Sequence, residues 1–203
     1  SAEEKDNLQA LQLTDMGFAE IFFGSYPIVV EGDTEHAAFI SAIVKTQHEM
    51  AGKISIIRAR GKAVLVPLIK MLRHFKSNFG IVHDIDWPYR KDGSGNGMWT
   101  INETIRNEII KCRQNGHIVY HRWSIPDFER FLGGAALGKD KPYSAFHRIS
   151  SDDELKVKVQ NLISSLFNGD DYDPIGHDPN SEFISQVLAD LTVWAVKNNQ
   201  QHN

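Results

Sequence analysis

What most constrains this chain is its alternation of short, wholly apolar runs with amphipathic stretches long enough to be helices. Ile28-Val29-Val30, Ile54-Ser55-Ile56-Ile57, Gly80-Ile81-Val82 and Ile118-Val119-Tyr120 carry almost no polar face. Such a strand must be covered on both sides, which suits a parallel sheet between helices rather than one face open to water. Helices are predicted between them, at about His36–Glu49, Val64–Lys76 with Pro67 near its first turn, and Ile101–Cys112. The third strand is expected to run on through Asp84-Ile85-Asp86 until Pro88 ends it, and Ser124–Leu132 reads as a turn into a short helix. The expected fold class is therefore α/β, a mainly parallel sheet flanked by helices. An N-terminal helix is expected over residues 1–24, the core over 25–145, and an additional helical annex over 146–203. In that annex Asp152–Phe167 and Ser181–Lys197 either pack on the sheet or stand beside it.

Four carboxylates stand out by position. Glu31 follows the first strand, and ligand sites in open α/β sheets gather at carboxyl ends of strands. Glu35 lies four residues on, at a helix start, with Asp33 or Thr34 a suitable N-cap between. Asp84 and Asp86 are two apart, so on a strand both point the same way. If the first and third strands are neighbours, all four converge. Crowded carboxylates repel, and a hard divalent cation with oxygen ligands, Mg²⁺ above all, resolves the conflict. Each acid alone has an ordinary explanation, since negative charge is welcome at a helix start and Asp-x-Asp occurs in many strand-to-loop turns.

Composition narrows the class further. A net charge of −4 argues against a protein that coats nucleic acid by charge alone, but not against a nuclease whose acids hold cations. The single cysteine, Cys112, excludes an internal disulfide and reads as a small buried hydrophobe. With no run of about 18 apolar residues and no signal-like N-terminus, no membrane association is expected, and the cytoplasm is the expected compartment. No Gly-x-Ser-x-Gly elbow supports a serine hydrolase, and the nine histidines form no His-Glu-x-x-His site.

The stretch Glu20-Ile21-Phe22-Phe23-Gly24-Ser25-Tyr26-Pro27-Ile28-Val29-Val30-Glu31-Gly32-Asp33-Thr34-Glu35 resembles the opening of the catalytic domain of the overcoming-lysogenization-defect (OLD) nucleases, which is of the topoisomerase–primase (TOPRIM) type. Asp84-Ile85-Asp86 matches its second hallmark, and the strand at Ile54–Ile57 followed by Gly61-Lys62 fits the same pattern. The likeness is good over residues 18–88, looser over 118–145 and weak beyond. It implies a Mg²⁺- or Mn²⁺-dependent DNA endonuclease or nickase using two ions, with Glu31, Glu35, Asp84 and Asp86 as catalytic metal ligands. It further implies Glu129 as an additional acid on the metals and Lys141 as a lysine that counters charge on the phosphate. OLD proteins carry an ABC-type ATPase before this region. No Gly-x-x-x-x-Gly-Lys-Ser/Thr loop occurs here, so the chain reads as a catalytic region without that partner; its oligomeric state stays open, a monomer being one option.

Basic residues near the expected site, Arg58, Arg60 and Lys62 after the second strand and Arg90 and Lys91 in a glycine-rich loop, are candidates for DNA phosphates; each also reads as an ordinary solvated charge. Trp87 or Trp99 would stack on a base or, equally, pack within the domain. His83 should face away from the acids, and His36 lies near the helix start. Two other readings stay open. One is another TOPRIM enzyme, a topoisomerase, primase or RNA-processing nuclease. The other is a non-catalytic module that binds metal or DNA.

Overall fold

In a computed structural model, residues 25–133, 140–170 and 183–199 are described; the helix expected over 1–24 lies outside them. Strands β1 (Tyr26–Val30), β2 (Ile54–Arg58), β3 (Phe79–Asp84) and β4 (Val119–Ser124) form one sheet in the order β2-β1-β3-β4. Every pairing is parallel. The helices are α1 (Asp33–Ile43), α2 (Lys62–His74), α3 (Gly97–Gln114), α4 (Phe128–Phe131), α5 (Lys141–Ser151), α6 (Asp153–Asn168) and α7 (Phe183–Lys197). This is a TOPRIM-type α/β arrangement.

The two inner strands are buried on both faces, as their composition requires, while Ile56 and Tyr120 on the outer strands are half-buried and Ile118 is exposed. Val29, Ile57, Ile81 and Val119 pack against Leu65, Leu68 and Leu72 of α2 and Ile105, Ile109 and Cys112 of α3. Ile28, Val30 and Val82 face the other way, onto Phe39 and Ala42 of α1, Ala145 and Ile149 of α5, and Leu162 and Leu166 of α6. Each such aliphatic side chain taken from water contributes roughly 1.5–3 kcal/mol. Helices α5 and α6 thus cover one face of the sheet, while α7 packs through Val187 on Ile85 and Trp123. Gly80 explains how closely: a Cβ there would lie 2.4 Å from the Leu166 carbonyl oxygen, so β3 needs a glycine where α6 crosses it.

Several boundaries differ from expectation. Gly32, not Asp33 or Thr34, is the N-cap of α1, without a side-chain bond, and the helix stops at Ile43. Helix α2 starts two residues early, which puts Pro67 inside it. Asn96 caps α3 by accepting from Met98 N and so extends it past the expected start. Helix α5 was not expected at all. β3 ends at Asp84, so Asp86 is not a strand residue; its φ is +64°.

Candidate metal centre

β1 has β2 on one flank and β3 on the other, so the chain reverses its direction of winding between β1 and β3. That reversal opens a crevice beyond the carboxyl ends of the two strands. The register Val30↔Val82 sets Glu31 beside His83 and Asp84 at this point. Glu35 enters from the first turn of α1, only 4 % exposed. Gly32 leaves it room, since a Cβ at that position would stand 3.2 Å from Glu35 Oε2.

The acids are knit to the ends of the elements. Asp84 N donates to Glu31 Oε2 at 3.1 Å, and Phe128 N at the start of α4 donates to Asp84 Oδ1 at 2.8 Å. Burial, and then the neighbouring Glu31, push the Glu35 carboxyl up to about 8. Burial lifts Glu31 to about 7, with Asp86 adding to it and Lys62 pulling against it. Asp84 is raised well above the usual carboxylate range, by burial first and then by the charges of Glu35 and Glu31. These three groups therefore crowd one another in a poorly solvated place.

Asp86 joins the group by a different route from the strand alternation expected of it. Its backbone turns left-handed, Asp86 N donates to Pro126 O at 2.8 Å, and its Oδ2 accepts from Lys62 Nζ at 2.6 Å. Lys62, expected among the DNA-facing cations, is instead 2 % exposed and also donates to Ile85 O at 3.2 Å. It is the first residue of a helix that runs into the core, and its stem is buried with it. Behind the acids lie His83 and His121, both buried, with Nε2 atoms 2.8 Å apart; His83 Nδ1 reaches Asp84 O at 2.8 Å. Burial holds His83 down to about 3.

On the α4–α5 side, Lys141 Nζ pairs with Glu129 Oε1 at 2.8 Å, the lysine half exposed and the glutamate mostly covered. That hydrogen bond raises the Lys141 pKa. Asp127, which sequence reasoning passed over, caps α4 through Arg130 N, pairs with the Arg130 guanidinium, and adds its charge to Asp84. Its place two residues before Glu129 at a helix start was the signal available. Among the basic candidates, Arg58 is bonded to Asp33 at 2.6 Å, while Arg60, Arg90 and Lys91 are exposed. Arg90 and Lys91 sit in a turn closed by the Tyr89–Gly95 bridge. Trp87 meets Trp194 of α7 edge-on at 6.2 Å, and Trp99 packs beside Ile85 and Trp123, so both tryptophans serve the domain's own packing.

As the side chains stand, no three acidic, histidine or cysteine groups among the described residues already surround one point. Their oxygens are turned to backbone N–H groups and to lysines instead. The donor chemistry nonetheless fits a hard divalent cation: the donors are all oxygen, and burial with mutual repulsion favours either protons or a cation on Glu31, Glu35 and Asp84. No described helix is long and apolar enough to cross a membrane.

Residues 22–86 match the family model described as the overcoming lysogenization defect protein-like TOPRIM domain. That span includes Glu31, Glu35, Asp84 and Asp86 and stops short of α4 and α5. TOPRIM domains generally bind divalent metals such as Mg²⁺, and this kind is of metal-dependent nuclease type. No curated protein matches the chain.

Proposed function

Because residues 22–86 match the OLD-like TOPRIM family model, we propose that the protein is a metal-dependent DNA endonuclease or nickase. It would hydrolyse phosphodiester bonds with two divalent ions, Mg²⁺ or Mn²⁺, engaged when substrate is bound. The observation that carries this reading is the meeting of Glu31, Glu35 and Asp84 at the β1/β3 crevice with their carboxyl pKa values driven upward. A divalent ion there supplies Lewis-acid stabilisation of charge developing on the phosphoryl oxygens.

The chain's own residues divide the remaining work. Glu31, Glu35 and Asp84 offer the oxygen donors, and Asp86 and Glu129 are further ligands, each standing on a lysine. Lys141, 50 % exposed, is free enough to turn from Glu129 to a phosphate and meet its growing negative charge. Arg60, Arg90 and Lys91, with Arg58 behind Asp33, line the approach and position the backbone of the nucleic acid without reading its sequence. An ATPase partner outside this chain belongs to the same proposal.

Supercoiled plasmid incubated with Mg²⁺, Mn²⁺, Ca²⁺ or EDTA, beside a Glu35→Ala control, tests it. Nicked or linear DNA is expected with Mg²⁺ or Mn²⁺, and none with EDTA or the variant. Cleavage that persists in EDTA, or in Glu35→Ala, would remove the assignment.

A further inference from the structure

Two lysines are built into the acid cluster, and they are not alike. Lys141 is half exposed and joins Glu129 across the gap between α4 and α5. Lys62 has a side chain only 1 % exposed, its ammonium shared between Asp86 Oδ2 and Ile85 O. Everything around Lys62 is fixed. The Ile85 carbonyl also accepts from Asn102 Nδ2 at 2.8 Å. Gly61 N, just before Lys62, donates to Glu31 O at 2.9 Å and ties the start of α2 to the end of β1. Asp86 is pinned by its own N–H to Pro126 O. An ammonium set into the interior in this way does not swing out to solvent as a surface lysine does.

Resting on the metal-site reading above, we propose that Lys62 is the resident counter-cation of the site. By holding Asp86, it limits the acid cluster to a single divalent ion until substrate arrives. Charge matching carries the step. With Asp86 held by Lys62, Glu129 by Lys141 and Asp127 by Arg130, the acids of the cluster with no ion-paired side chain among the described residues are Glu31, Glu35 and Asp84, and Lys62 reaches Glu31 only through its field. One divalent ion nearly balances those three. A second would leave the cavity with surplus positive charge, which is costly where water is scarce. A bound phosphodiester supplies the missing negative charge, and Lys141, the half-exposed lysine, is the one placed to turn toward it. Asp86 is thereby a reserve ligand, available to a second ion only when Lys62 gives it up. Lys62 acts through Asp86 and is a positioning residue.

Mn²⁺ titration of the protein without DNA, followed by calorimetry and by electron paramagnetic resonance of the bound ion, tests this. One Mn²⁺ is expected on the unmodified protein. In Lys62→Met a second should bind, at least roughly tenfold tighter than any second ion on the unmodified protein, because an adjacent like charge has been removed. Lys62→Gln, which keeps a neutral polar side chain at the start of α2, covers the case in which Lys62→Met does not fold, and it too should take the second ion. Two ions on the unmodified protein without DNA, or an unchanged count in a folded Lys62→Met or Lys62→Gln, overturns the role of Lys62. The metal-site reading itself falls separately, by absence of any Mn²⁺ binding or by a Glu35→Gln variant that binds as before.

Discussion

Glu35 carries a carboxyl at a place where an isolated carboxylate is unwelcome, beside a second one in Glu31. Their folded-state pKa values of about 8 and about 7 lie above the ordinary range near 4.3. The metal-free folded protein therefore holds protons that the unfolded chain releases. The contribution to stability is complete below the unfolded value and is lost as pH rises through about 7 and about 8. Melting in EDTA should thus fall from about pH 5, where the unfolded chain begins to give up protons that the folded protein keeps, to about pH 8, and level off above that. Glu35→Gln should flatten that fall by on the order of 1 kcal/mol or more, and Mg²⁺ should restore the unmodified protein at the alkaline end. Parallel slopes for variant and parent would show that Glu35 is not under this strain. Glu31 and Glu35 were legible in the sequence, because a strand end followed by glycine and a helix start places acids by local rules alone. Asp86 was legible as a residue but not as a geometry, since nothing local announces a left-handed aspartate. The position of Lys62 was not legible at all: a lysine opening a helix looks solvated, and its partner lies 24 positions away in the chain.

Among the elements, the strands announced themselves through runs with no polar face, while α5 did not. Its start is Lys141-Pro142, and its buried positions reduce to Ala145 and Ile149, too thin a stripe to read as a helix. It is fixed by tertiary bonds instead: Ser41 Oγ of α1 donates to Phe146 O at 2.9 Å and lies 3.0 Å from Ser150 Oγ, and Lys45 Nζ donates to Ser150 Oγ at 2.9 Å. Lys141 owes its place to that clamp. The packing of α6 on β3 is the sharper test of the architecture. Gly80→Ala sets a methyl group against the Leu166 backbone, which has no flexible end to give way. It should cost about 1–3 kcal/mol in urea unfolding with an unchanged slope. A variant as stable as the parent would mean that α6 does not cross β3 there.

For the molecule as a whole, a net charge of −4 and an acidic crevice oppose a polyanion, while Arg60, Arg90 and Lys91 are exposed to receive one. Binding to duplex DNA should accordingly be weak in EDTA and stronger in Ca²⁺, which fills the crevice without supporting the reaction. The double variant Arg90→Ala, Lys91→Ala should weaken binding evenly across sequences and reduce the salt slope by about 2. An unchanged slope in fluorescence anisotropy would move the DNA elsewhere on the surface.

The hydrogen bonds of His83 also fix where protons sit inside the sheet. A backbone carbonyl only accepts, so the contact with Asp84 O makes His83 Nδ1 the protonated nitrogen. Its Nε2 is then a lone pair, and His121 Nε2 must carry the hydrogen between the rings. Each imidazole is locked in one tautomer, the Nδ1–H form for His83 and the Nε2–H form for His121, which nitrogen-15 chemical shifts distinguish. A proton added to His83 would set two N–H groups head to head between β3 and β4, so acid attacks this domain from its interior seam rather than from its surface.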